Sequence, residues 1–549
     1  MTQPRNSDPV MDRRPRAAFM VGAGIFFSRI SGFIRDMLFA YFFGNTGLAD
    51  VWRVSLKAPN VLQNLIGEGT LSASVIPVYT EFIEEGRKED AGRFIGAVLG
   101  ILMVVAGGVS LIGILLAPIL VPILFFRWDP QKIEITTVMV QILFPMTAIL
   151  VISAWALAVL NSHRRFFVSY VAPVGWNGAI ILTMVGLGFG LGWTGPELLL
   201  AVAWGAFGGG IIQLMVQVPY VVTLLEHFRI SLSRGVSGIN DAIRNFTPVV
   251  TARGVVNIGS MFELFLAALL VEGSVAALGY AQTLYILPIS LFGMSIAASE
   301  LPELSRQRKR PSEELRVQIS SALERIHFLL IPSTVAFFIL GDLFIGAIYQ
   351  RGSFLTTDTP VVYAILAIYS LGLLASSGSR VLSTAFYAIR DTQTPARIAY
   401  FRVALSLAIG VSVMFPLDRF NSGYLSFGAV GLALGVSIAS WAEYMILRCK
   451  LNHALGFHGP RSEMRYRFFV ASCIAGLAAV MAKWILGSNV PYKEGLIAGL
   501  MADSVPWLIQ PLLAVATALV FGIVYIFINA RFGVNVSLRN LLRSDIGIE

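Results

Sequence analysis

FIGAVLGILMVVAGGVSLIGILLAPILVPILF, residues 94–125, contains no charged side chain and is bounded by Arg93 and Arg127. A helix crosses a bilayer core of ~30 Å with about 20 apolar residues, so this run reads as a membrane span. Its apolar residues are continuous rather than alternating, which argues against a β-barrel strand. Comparable runs recur along the 549 residues, of which 56% are hydrophobic and 13% charged. Soluble domains carry roughly 25% charged residues. The fold class expected is an all-α polytopic membrane protein.

Working outward, fourteen spans are expected, beginning near 18–43 and 50–80 and ending near 467–486 and 508–530. The second is long and contains Pro59 and Gly67, where a bend is expected. The loops test this count. Those on the side of the N-terminus hold Arg87, Lys88, Arg93, Arg164, Arg165, Arg229, Arg234, Arg306, Arg308, Lys309, Arg310, Arg448, Lys450, Arg461 and others. The opposite side holds Arg127, Lys132, Arg351, Arg419 and Lys493. The positive-inside rule then places both termini in the cytoplasm. The net charge of +9 is accordingly a topology signal, and no nucleic-acid partner is expected. The N-terminal region lacks a small-residue cleavage site and reads as a retained first span.

The two cysteines, Cys449 and Cys473, fit no disulfide or zinc pattern. The five histidines form no metal motif, and no HExxH, P-loop or GxSxG occurs. Neither a metal nor a nucleotide cofactor is expected.

An internal repeat organises the spans. SASVIP (Ser72–Pro77) echoes AASELP (Ala297–Pro302) at an offset of 225, and AVLNSHRRF (Ala158–Phe166) echoes AFYAIRDTQ (Ala385–Gln393) at 227. Each half then holds six spans in the same orientation, a parallel repeat, with the substrate site expected between the halves. The expected divisions are a cytoplasmic segment 1–17, an N-lobe 18–225, a C-lobe 226–453, two further spans within 454–530, and a cytoplasmic tail 531–549.

Charges inside the spans mark the candidate site, because each costs ~2.5–3.5 kcal/mol even on the mildest scale. In the first span Ser28, Arg29, Gly32, Arg35 and Asp36 fall within about 120° of helical arc. In the second, Asp50, Arg53, Lys57, Asn60, Asn64 and Glu68 follow at helical spacing on one face. The seventh carries Arg253, Asn257, Ser260 and Glu263. Two readings stand side by side. The charges pin helices to one another, for instance Arg35 to Asp50. Or they line a hydrated cationic cavity, where arginine's planar fork suits phosphate. A proton relay through Asp36, Asp50, Glu68 or Glu263 is a further option, since buried carboxylates titrate nearer neutrality.

FFSRISGFIRD (Phe26–Asp36), AD at Ala49–Asp50, KAPNVLQNLIGEG (Lys57–Gly69) and IPVY (Ile76–Tyr79) resemble the MurJ/MviN lipid II flippases of the multidrug/oligosaccharidyl-lipid/polysaccharide exporter superfamily. The likeness continues through Gly273–Ser305, YQRGSF (Tyr349–Phe354) and RVLSTAFYAIRDTQTP (Arg380–Pro395). It implies fourteen spans, two six-helix lobes around a cationic cavity, and a groove for the polyprenyl tail formed by the last two helices. The cargo implied is lipid II, an undecaprenyl-pyrophosphate-linked peptidoglycan precursor, in a bacterial cytoplasmic membrane. Onto matching positions the resemblance carries Ser28, Arg29, Arg35, Asp36, Asp50, Lys57, Glu68 and Arg380. Gln63 and Thr283 stand where the family often has arginine. Arg53 and Arg253 lie on the stripes and are expected to supply cavity charge instead.

The function expected is translocation of lipid II from the inner to the outer leaflet by alternating access, without covalent chemistry. Coupling to the membrane potential, H+ or Na+ is expected. For Na+, Glu263 is the candidate in the seventh span, and the eleventh offers Arg402 and no carboxylate. The alternatives are a flippase for another polyprenyl-linked saccharide, a membrane glycosyltransferase or ligase, and a drug antiporter.

Overall fold

A computed structural model describes residues 14–233, 235–293, 312–389, 391–419, 427–460, 462–487 and 506–533. All regular structure among these residues is helical. In chain order the helices are α1 (Arg14–Phe43), α2 (Gly47–Ile66), α3 (Glu68–Ser74), α4 (Ile76–Glu84), α5 (Lys88–Leu124), α6 (Pro130–Ser162), α7 (Phe166–Thr183), α8 (Gly195–Val222) and α9 (Ile239–Ala267). There follow α10 (Ser274–Pro288), α11 (Ser312–Tyr349), α12 (Asp358–Leu371), α13 (Leu373–Ala388), α14 (Gln393–Asp418), α15 (Gly428–Leu455), α16 (Ser462–Gly487) and α17 (Pro506–Arg531). Wider π turns extend α7 over Met184–Gly190 and α10 over Ile289–Gly293.

Among the described residues, eleven helical segments are long and apolar enough to cross a membrane. Their outward faces decide the environment. On α5, Leu115 is 65% and Ile123 63% exposed, and Leu182 of α7 and Met481 of α16 are similarly bare. Apolar surface on this scale is tolerated in hydrocarbon and not in water. The chain is a multi-pass integral membrane protein.

The second span is not one helix. A Cβ on Gly67 would stand 2.3 Å from the Gln63 carbonyl oxygen and 3.3 Å from the Ala154 Cβ. Only glycine fits there, and the chain breaks into α2, α3 and α4 at the bend the sequence placed at Gly67. Pro59 lies within α2. Lys132, expected in an outer loop, instead occupies the first turn of α6 and is 9% exposed. Asp129 caps that turn by accepting from the Lys132 backbone N–H at 2.9 Å, which is why the helix starts before Lys132 rather than after it.

Helix starts recur at a near-constant spacing. Gly47 and Ser274 are 227 residues apart, Pro130 and Asp358 228, and Phe166 and Gln393 227. The second quoted repeat pair ends α6 and α13 in the same way. The segment Ala297–Pro302 lies outside the described residues.

The chain divides into two compact units, Met1–Phe43 with Gly47–Met261, and Gly44–Thr46 with Phe262–Glu549. In the first, Phe94, Ile95, Val151, Trp155 and Leu160 pack with Tyr79 and Phe82 of α4. The Trp155 indole donates to the Ile95 carbonyl at 3.1 Å. Between α6 and α8, Gln213 Nε2 donates to Ser153 Oγ at 3.0 Å and Ser153 to Gln217 Oε1 at 2.8 Å, a polar clasp of the kind that joins helices in lipid.

In the second unit, α14 and α15 meet through small residues. A Cβ on Gly435 would lie 2.5 Å from the Ser406 carbonyl oxygen, and one on Gly431 2.9 Å from the Met414 backbone. The pair packs by close backbone approach. The last two helices dock on α11: Phe328 and Leu340 pack with Phe468, Ala471, Leu513, Phe521 and Tyr525, and the Tyr525 hydroxyl donates to the Phe328 carbonyl at 2.7 Å.

Candidate functional site

In the first unit the site grows from α1 and α2. Close packing holds α1 against α7: a Cβ on Gly24 would stand 2.8 Å from Tyr170 Cβ. This sets Arg35 beside α7. Its Nε and Nη2 donate to Asp36 Oδ1 at 3.0 and 2.8 Å, and Nη1 donates to Asn177 Oδ1 at 2.9 Å. The guanidinium lies 5.0 Å from the Trp176 ring centroid, within cation–π range. Asn177 Nδ2 in turn donates to Ser31 Oγ at 2.9 Å and, at 3.4 Å, to the carbonyl of Ser28. Three of the five guanidinium N–H donors are thus fixed in direction. Asp36 is buried, Arg35 half-buried and Arg29 exposed.

On α2, Asp50 is 2% exposed and accepts from Lys132 Nζ at 3.0 Å. The ammonium sits 4.0 Å from the Trp128 ring centroid. The helix-pinning reading offers Arg35–Asp50 as one instance; here Arg35 takes its chain neighbour Asp36, and Asp50 joins α2 to α6 through Lys132. Arg53, Lys57 and Asn60 are half-buried and Asn64 is exposed, while Val51, Trp52, Val54, Leu56 and Val61 are buried. From Arg53 to Asn64 the stripe is thus the less buried face of α2, while Asp50 at its start is buried. Glu68 falls in α3 and Arg253 in α9, and their side chains lie outside the description.

The second unit holds Glu263 and Arg380. Glu263 Oε1 accepts from the Tyr369 hydroxyl at 2.7 Å, and that hydroxyl accepts from Gln282 Nε2 at 3.1 Å. Tyr369 is 1% exposed. Its ring lies 5.3 Å from that of Tyr285, whose hydroxyl bonds Ser376 Oγ at 2.9 Å. Arg402 Nη1 meets Glu443 Oε2 at 3.3 Å. Arg380 is exposed on α13.

Sequence reasoning passed over Asn177, Lys132, Tyr369 and Glu443. For Glu443 a signal existed: it is the one carboxylate of α15, and an ionisable residue in a span is a site by default. No His, Cys, Asp and Glu cluster among the described residues has metal-binding geometry. Cys449 and Cys473 are both free.

Helical spans carrying paired charges and polar stripes fit the class of membrane transporters. The same fold occurs in a solved structure described as lipid II flippase MurJ in an inward closed conformation, with a TM-score of 0.75 at 20% identity, covering 96% of this chain and 100% of that one. An inward-facing multidrug resistance MATE transporter of the MOP superfamily gives a TM-score of 0.65 at 16% identity, covering 78% and 94%. The family model described as lipid II flippase MurJ matches residues 39–505. The probable lipid II flippase MurJ of Rhizobium tropici is 30% identical over 437 residues, 77% of this chain and 78% of the relative. That of Haemophilus influenzae is 26% identical over 520 residues, 92% and 98% of the two chains. The chain belongs to the lipid II flippase MurJ family.

Proposed function

We propose that this chain translocates lipid II from the inner to the outer leaflet of a bacterial cytoplasmic membrane by alternating access. The observation that carries the reading is the Arg35 fork of α1, held in direction by Asp36 and Asn177. A charged, pre-aimed planar donor suits a pyrophosphate oxygen. Arg29, Arg53, Lys57, Arg253 and Arg380 add positive charge along the path, and Ser28, Asp36, Asp50, Glu68 and Glu263 complete the polar lining. Energy comes from the membrane potential or an H+ or Na+ gradient, with no cofactor.

The architecture proposed with it has fourteen spans: the eleven apolar ones together with α1, α2 and α9, which bear the polar stripes. Six spans make each of two lobes in parallel repeat, residues 18–225 and 226–453. The recurrence of helix starts at 227–228 residues supports this. The last two spans, within 454–530, form a tail groove, and residues 1–17 and 531–549 are cytoplasmic, in line with the loop charge bias.

Depletion in the host tests the reading. Lipid II is expected to accumulate in the inner leaflet, and a wild-type copy to clear it. Unchanged lipid II distribution after depletion would sink the proposal. A related polyprenyl-pyrophosphate-linked saccharide is the second reading. One observation favours it: Thr283 Oγ1 donates to the Gly279 carbonyl at 3.0 Å and Gln282 to Tyr369, so this stretch of α10 brings no cation.

A further inference from the structure

The second unit contains a cavity lined by none of the residues proposed for the cargo path. It has a volume of about 700 Å3 and lies between α11, the α12–α13 junction, α15 and α16, within the ~300–1,000 Å3 range of sites that hold small ligands. It borders α16 through Arg465 and Phe469, and no residue of α17 lines it. Its walls are apolar along most of their length, and His327, Tyr444, Arg448 and Arg465 gather in its lining. Of its lining residues Met445 is 60% and Phe469 54% exposed, so part of its apolar wall is open at the surface of the unit.

The two arginines define one end. Arg448 lies in the last two turns of α15 and Arg465 in the first turn of α16, next to the loop that the charge bias makes cytoplasmic. Among the described residues neither is in an ion pair. Arg448 Nη2 donates to the His458 carbonyl at 3.3 Å. Arg465 Nε is buried with no hydrogen-bond partner, although guanidinium donors removed from water are costly to leave unmade. The nearby acid Glu463 is taken by Arg467. His327 Nδ1 lies 2.6 Å from the Leu323 carbonyl oxygen, and the Trp441 indole donates to the Leu371 carbonyl at 2.8 Å. These ring nitrogens are already engaged, and the buried donors without a partner in the lining are Arg465 Nε and the Tyr444 hydroxyl.

We propose that this slot is a binding site for an anionic glycerophospholipid of the cytoplasmic leaflet, its acyl chain between α11 and α15 and its phosphate on Arg448 and Arg465. Basic pockets between membrane helices near the cytoplasmic face are where such head groups bind. The charge selects the phosphate and the apolar walls select the chain. The site does not depend on which lipid-linked cargo is carried.

Native mass spectrometry of the full chain released from vesicles of equal phosphatidylglycerol and phosphatidylcholine tests this. The wild type is expected to retain phosphatidylglycerol preferentially. Arg448→Ala with Arg465→Ala is expected to lower that preference roughly thirty-fold, about a factor of five for each cation. Arg448→Lys with Arg465→Lys is expected to keep most of it. Leu434→Trp, which fills the slot and leaves the charges alone, is expected to lower retention of both lipids. If the alanine pair fails to fold, the lysine and tryptophan variants decide. Equal retention of the two lipids by the wild type would overturn the proposal. So would an unchanged preference in the alanine pair, unimpaired retention in Leu434→Trp, or displacement of phosphatidylglycerol by a polyprenyl pyrophosphate.

Discussion

Asp50 and Glu263 each sit in a polar stripe, the one on α2 and the other on α9, yet they are held in different ways. Asp50 is locked by an ammonium, Lys132 Nζ at 3.0 Å, with both side chains nearly dry. Glu263 is held by a phenol, the Tyr369 hydroxyl at 2.7 Å. The first arrangement is an ion pair whose members stabilise each other only together. The second is a hydrogen bond that survives loss of the carboxylate charge. Similar sequence patterning has thus been put to two uses, helix pinning by an ion pair in the first unit and a hydrogen-bonded chain of Glu263, Tyr369 and Gln282 in the second.

Breaking the first arrangement has the largest expected effect. Asp50→Asn leaves the Lys132 charge buried and is expected to cost about 3–5 kcal/mol of stability, read from denaturant unfolding of the purified protein. Adding Lys132→Met is expected to restore most of it. A single mutant as stable as wild type would mean that the pair does not hold α2 to α6.

Next is Arg35. Removing a charge-assisted hydrogen bond worth ~1.5–3 kcal/mol corresponds to roughly a ten- to 150-fold loss of flux. Arg35→Ala is expected to fail in a depletion complementation assay with normal membrane levels, as is Arg29→Ala. Normal growth of both would remove α1 from the cargo path.

The phenol contact sharpens the contrast. Glu263→Gln keeps an acceptor for Tyr369 and is expected to change stability by less than about 1 kcal/mol, while Tyr369→Phe is expected to cost about 1–1.5 kcal/mol. If Glu263→Gln destabilised as much as Asp50→Asn, the two sites would be alike after all.

The smallest effect concerns His163, which follows α6 and meets the Tyr79 hydroxyl at 3.1 Å. Burial and then Arg165 push its pKa below the usual 6.5. The folded protein holds the ring neutral, so its contribution is present above the unfolded value and lost as pH falls through 6.5 toward the depressed folded value. His163→Gln is expected to flatten the thermal midpoint against pH in that window, and an unaltered slope would assign the acid sensitivity elsewhere.

Much of this was legible in the residues. Uninterrupted apolar runs gave the eleven apolar spans among the described residues, and 3- and 4-residue spacings gave the less buried face of α2 from Arg53 to Asn64. Gly67 marked a real break because its Cβ position is occupied by the preceding turn. The partners were not legible. Arg35 and Asn177 are 142 residues apart, Asp50 and Lys132 82, and Lys483 and Asp342, which meet at 2.5 Å, 141. Local periodicity says which face a charge occupies and nothing about the helix that will face it. Lys132 was misplaced for a related reason: beside Arg127, Trp128 and Asp129 it reads as loop, and only the Asp129 cap and the buried Asp50 make it helix core.

The pairing of Arg35 with Asp36 and of Lys132 with Asp50 has an electrical consequence. A single elementary charge carried across the membrane field changes energy by ~2.3 kcal/mol per 100 mV. Two opposite charges 2.8 or 3.0 Å apart move as a dipole, and translating a dipole through a uniform field does almost no work. The first unit therefore holds these four charged groups in two pairs that contribute next to no gating charge.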